Sequence, residues 1–134
     1  MDENKWFSDE NVIQKSKKAY AHFDLRTNVV KARKYITNPD KIKHHGFYPF
    51  IKYVMRYDRF HKVNGKLAFD PKEREICYSA HIDRCIYQYY SALLNEKYNL
   101  RLKHDGINNV PVAYRTDLHC NNIDIFREAI DFIR

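Results

Sequence analysis

Apolar residues recur at helical spacing near both ends of the chain and give way in the middle to aromatic and β-branched residues. Ser8 ahead of Asp9 and Glu10 reads as a capping oxygen with acids in the first turn, leading into Val12, Ile13, Ala19 and Tyr20. That pattern predicts one helix from Ser8 to about His22. A second begins near Thr27 and carries Val29, Val30 and Ala32 to Tyr35 and Ile36. It should stop before Asn38-Pro39, because the residue ahead of a proline avoids the helical region. Asn38 is placed to cap a short third helix, with Pro39 at its first position and its end at Gly46.

From Phe50 the residues Ile51 to Tyr57 have the texture of a strand. Asn64-Gly65 is the strongest turn signal, since both residues tolerate the positive φ angles of a two-residue hairpin; its arms run up to about Val63 and from Lys66 onward. Asp70-Pro71 is expected to break the second arm before an extended run from Arg74 to Ser79. Residues 81–97 read as the clearest helix and a core element, with Ile82, Ile86, Tyr89 and Leu93 in one stripe and Cys85 and Leu94 beside it. The segment 100–111 reads as loop and Val112 to Arg115 as a short extended piece. Asn121 or Asn122 then caps a final helix bearing Ile125, Phe126, Ala129, Ile130 and Ile133. The fold class expected is α+β, around one core: a helical N-terminal region over 1–49, a β-hairpin over 50–80, and packed helices with a connecting loop over 81–134.

The composition supports a folded chain. Its 134 residues are 44% hydrophobic and 31% charged, values unlike those of a disordered tail. No apolar run approaches the roughly 18 residues of a membrane span, and the first residues lack the basic and apolar regions of a secretory signal. A cytoplasmic protein without a membrane partner is expected. Cys77, Cys85 and Cys120 form an odd set with no C-x-x-C pair, which predicts reduced, mostly buried thiols.

Charge changes the picture more. Residues 1–67 hold 15 of the 24 Lys and Arg but 7 of the 17 Asp and Glu. Within residues 31–66, Lys31, Arg33, Lys34, Lys41, Lys43, Lys52, Arg56, Arg59, Lys62 and Lys66 face only Asp40 and Asp58. Such a stretch is either a solvated face or a polyanion site. Tyr35, Phe47, Tyr48, Phe50, Tyr53, Tyr57 and Phe60 lie in it, and single-stranded nucleic acid sites combine stacking rings with cations. Most of these rings are nevertheless expected in the core, because 15% aromatic content has to be buried somewhere.

Other chemistries are poorly supplied. His44-His45, Cys77 with His81, and His119-Cys120 do not bring four donors to one centre, so no metal site is expected. Gly46, Gly65 and Gly106 are too far apart for a phosphate loop, and Cys85 falls in a core stripe where a thiol is inert. What remains is the basic set around the hairpin, Lys66, Lys72 and Arg74, with Asp83-Arg84 at the start of the following helix. Arginine suits bidentate gripping of phosphate; Asp83 also suits the helix dipole.

Lys72, Arg74 and Ile76, followed by Ser79, His81, Asp83-Arg84, Ile86 and Tyr90, resemble the first fingers motif of bacterial reverse transcriptases of the retron, group II intron and abortive-infection or defence-associated type. In that family a Lys-x-Arg-x-Ile strand precedes Asp-Arg at a helix start. Val112, Tyr114-Arg115-Thr116, His119, Asn122 and Asp124 are similar to its second motif, an aromatic-Arg pair before a polar loop and helix. His45 to Ile51, with Phe47, Tyr48 and Pro49, resembles the upstream region of the defence-associated members. Together the similar stretches span about residues 20–134.

The resemblance implies the fingers and the entry to the palm of an RNA-directed DNA polymerase. It puts Lys66, Lys72, Arg74, Arg84, Tyr114 and Arg115 near nucleotide or template, and Lys41, Lys43, Lys52, Arg56, Arg59 and Lys62 along nucleic acid backbone. The partners it implies are RNA or DNA and the palm and thumb of the polymerase, with self-association through the final helix if that partner is absent. The complete polymerase would use Mg2+ held by a first Asp motif and an aromatic-x-Asp-Asp motif. Neither motif is in this chain, so no catalytic residue and no cofactor is expected in it, and Asp124 and Asp131 read as exposed helix acids. A small standalone nucleic-acid-binding protein is the alternative, and an interaction or inhibitor domain a third class.

Overall fold

The computed structural model describes residues 1–18, 22–108, 110–111 and 122–133. They form two compact units, Met1–Ala92 and Leu93–Arg134, where the sequence suggested one core. The described elements are helices and a single antiparallel hairpin, so the mixed α and β character is as expected.

The helix expected from Ser8 to about His22 ends already at Ser16, and a separate short helix precedes it. Helix α1 (Glu3–Ser8) is capped by Asp2, whose carboxylate accepts the Lys5 N–H, and α2 (Glu10–Ser16) is capped by Asp9, which accepts the Asn11 N–H. Ser8 is not the cap. Its hydroxyl donates to the Asn4 and Lys5 carbonyls and so closes α1, one residue before the break. Helix α3 (Val29–Ile36) begins two residues after Thr27 because Asn28 takes the capping role, and α4 (Pro39–Lys43) is capped by Asn38 with Pro39 in its first turn, as read from sequence, but ends at Lys43 with His44 as its cap rather than at Gly46.

Strands β1 (Ile51–Val63) and β2 (Lys66–Tyr78) pair residue for residue about the Asn64-Gly65 turn, both of whose φ angles are positive. Thirteen residues at about 3.3 Å each make a ribbon some 43 Å long. Pro71 does not interrupt it. In a two-residue hairpin the pair flanking the turn exchanges hydrogen bonds and pairs alternate from there. Asp58 and Pro71 therefore face each other in a non-bonded pair, and the N–H that proline lacks would have pointed to the open edge.

Helix α5 (His81–His104) continues seven residues beyond Lys97, through part of the expected loop, and closes where the Ile107 N–H donates to the Leu102 carbonyl. In the first unit Cys85, Ile86 and Tyr89 are buried with Phe7, Val29, Ala32 and Ile36. Tyr89 stacks on Phe7 at 5.7 Å and meets Trp6 edge-on, while the Arg33 guanidinium lies over the Phe7 ring, 4.7 Å from its centre. Leu94, expected beside the apolar stripe of a core helix, is exposed. In the second unit α6 (Asn122–Ile133) leaves Ile123, Phe126, Phe132 and Ile133 exposed. No described helix is long and apolar enough to cross a membrane.

Candidate nucleic-acid interface

The register sorts the ribbon's side chains onto two faces of different character, since residues alternate sides along a strand and cross-strand partners share one. The first face carries, from base to tip, Tyr53 opposite Ile76, Met55 opposite Arg74, Tyr57 opposite Lys72, Arg59 opposite Asp70, and Val63 opposite Lys66. Four cations thus stand in successive rows or near them, against one carboxylate. No carboxylate among the described residues lies within 4 Å of any of the four, and all four are exposed. Tyr53 and Tyr57 stand among them with their rings in solvent.

The second face is internally neutralised. Lys52 pairs with Glu75 at 2.5 Å and Arg56 with Glu73 at 2.7 Å, and Asp58 shares the face with Lys62. Its tip is apolar, with Phe60 edge-on to Phe69 at 5.0 Å beside Leu67. The expectation that most rings of the basic stretch are core is overturned: Phe47, Tyr48 and Phe50 are exposed in the segment before the ribbon, and Tyr53, Tyr57 and Phe60 are exposed on it, where two strands have no second layer to bury them.

The remaining candidates divide. Lys41 and Lys43 are exposed on α4, with the Lys41 ammonium 5.7 Å from the centre of the Tyr35 ring. Arg84 is not on the ribbon. Its guanidinium donates to the Lys18 carbonyl at 2.7 Å and to the Ser16 carbonyl, closing the end of α2, so it is a structural arginine rather than a phosphate contact. Tyr114 and Arg115, with the extended piece around them and Cys120, lie outside the described residues. Cys77 is exposed rather than buried, while Cys85 is buried and its thiol is pushed up to about 11 by desolvation, against a smaller opposing pull from Arg84.

Sequence reasoning missed the buried polar network around the first turn of α5. Asp24 accepts the His81 backbone N–H at 2.7 Å and the His81 ring N–H at 2.6 Å, with His22 at 3.1 Å. Burial works to raise the Asp24 carboxyl, but the hydrogen bonds and charge of His81 prevail and hold it below its ordinary value. On the same turn Asp83, fully buried, accepts the Tyr48 N–H at 2.9 Å and the His45 ring N–H at 2.7 Å, and His45 in turn receives the Tyr35 hydroxyl at 2.8 Å. Asp83 was legible as a helix-start acid; its partners, 35 and 38 residues upstream, were not.

The Mg2+ that the resemblance implies has no matching donors here. Among the described residues no group of three His, Cys, Asp or Glu side chains is arranged to hold a metal ion, and Asp124 and Asp131 sit two turns apart along α6. No protein-family model matches the chain, and no curated protein matches it.

Proposed function

We propose that this chain is a nucleic-acid-binding module whose β-ribbon grips phosphates through Arg59, Lys66, Lys72 and Arg74 while Tyr53 and Tyr57 offer stacking surfaces, and that it is the fingers portion of a reverse transcriptase. The observation that supports the first part is the segregation of charge: one ribbon face pairs Lys52 and Arg56 with Glu75 and Glu73 and balances Lys62 with Asp58, the other leaves its cations to solvent. Cations two residues apart on a strand stand about 7 Å apart, a ladder suited to a flexible single strand. The larger assignment rests on the ordered motifs, of which Lys72, Arg74 and Ile76 lie in β2 and Asp83 opens α5.

Titration of a labelled single-stranded oligonucleotide at a series of salt concentrations tests the binding. Four neutralised phosphates give a slope of log affinity on log salt near −3, at about −0.7 per phosphate. Arg74→Ala should weaken binding about tenfold at low salt, one charge-assisted contact being worth about 1.5 kcal/mol, and Lys52→Ala should change it less than about twofold, because Lys52 is already paired. Equal losses in the two variants would refute the one-sided interface. Adding a reverse-transcriptase palm in trans tests the fingers assignment: assembly with primer extension supports it, and neither would overturn it while leaving the binding result standing.

A further inference from the structure

We propose that Tyr35 is a phenolic nucleophile that accepts a phosphoryl group from an activated phosphate ester or anhydride, with His45 as its general base and Asp83 as a positioning residue. The three side chains stand in the order that activates a weak nucleophile: hydroxyl to imidazole at 2.8 Å, imidazole to carboxylate at 2.7 Å. The carboxylate fixes the direction of the chain. Asp83 is acceptor-only and its other oxygen is taken by the Tyr48 N–H, so the His45 Nε2 carries the proton, Nδ1 holds the free lone pair, and the Tyr35 hydroxyl is the donor toward it.

The surroundings keep this arrangement in place. His45 has its side chain 6% exposed, and its ring meets the edges of Phe47 at 4.7 Å and Tyr35 at 5.6 Å. Phe47 is itself stacked on Tyr87, so the imidazole has little room to turn. Tyr35 is only partly buried, whereas the Asp83 side chain that orients its base is wholly so. The Lys41 ammonium over its ring, with Lys34 exposed one residue before, makes the approach cationic and favours an anionic donor. A purely structural tie between α3 and α5 needs only a hydrogen bond to His45; it does not need that hydroxyl to face the free lone pair of a base already oriented by a buried carboxylate.

In the step, the Tyr35 oxygen attacks phosphorus and forms the O–P bond as the bond from phosphorus to the leaving group breaks. The leaving group departs with that electron pair. The phenolic proton passes to His45 Nδ1, and the imidazolium so formed is paired with Asp83. This proposal does not depend on nucleic acid binding by the ribbon.

A fluorophosphonate, whose leaving group is fluoride, is the probe, and the site of each adduct is read by peptide mass mapping of the whole chain. Tyr53 and Tyr57, exposed on the ribbon, are internal references. Tyr35 is expected to react at least tenfold faster than either, and His45→Gln, which keeps a donor toward Asp83 but has no basic nitrogen, to bring it down to their rate. Reaction of Tyr35 no faster than Tyr53 in the unaltered protein overturns the proposal, whether or not the His45 variant folds. So does a folded His45→Gln protein in which Tyr35 reacts as before.

Discussion

Asp24 stands 57 residues before His81 and yet caps the first turn of α5, its two oxygens taking the His81 ring and backbone N–H groups. Its carboxyl is held below its ordinary value in the folded chain and returns to that value on unfolding. The stability it contributes is therefore complete above the ordinary carboxylate range and disappears as pH falls through the lowered value. Asp24→Asn should cost about 2 kcal/mol at pH 7, in line with hydrogen bonds to a charged group, and the difference from the unaltered protein should shrink toward pH 3; urea unfolding at the two pH values measures it. A pH-independent difference would mean that the lost contact is not electrostatic. None of this was legible in the sequence. Local capping was, as Asn38 shows, because cap and first turn are neighbours. The same reasoning placed Ser8 one residue wrong, since Ser8 and Asp9 are both good caps and only the break between α1 and α2 decides between them. Arg84 reads as a phosphate ligand until its carbonyl partners, more than 60 residues away, are known.

At the scale of the element, the hairpin was legible in its turn and misread in its second arm. Asn64-Gly65 announces itself by conformation alone, with φ of 51° and 77°. Pro71 reads as a break because the sequence does not say which way its missing N–H would face; pairs counted outward from the turn supply the answer, a non-bonded pair with the gap on the open edge. The proline then has a use there. A 13-residue strand with a free edge is a template for another strand, and a missing donor midway interrupts it. Pro71→Thr should leave the hairpin's own ladder intact and change stability by less than about 1 kcal/mol, while increasing concentration-dependent association seen by light scattering. An unchanged scattering profile would remove the protective role.

Over the whole molecule the charge is +7, enough by itself to draw any basic protein to nucleic acid. Net charge and a built face make opposite predictions when charges are removed one at a time. Lys15 on α2, Lys97 on α5 and Arg59 on the ribbon are all exposed, and replacing any one with alanine lowers the net charge by the same unit. If attraction to the whole molecule governs binding, the three variants lose affinity alike. If the ribbon face governs it, Arg59→Ala alone should flatten the salt slope by about 0.7, the loss of one phosphate contact on a single strand, and the other two should match the unaltered protein in anisotropy titrations from low to physiological salt. The charge excess of the first half was plain in the sequence, but its division between an ion-paired face and an open one was not. That division is set by the pairing of Arg56 with Glu73 and of Lys52 with Glu75 across a register that composition does not contain. Indistinguishable slopes in the three variants would return those cations to the role of a solvated surface.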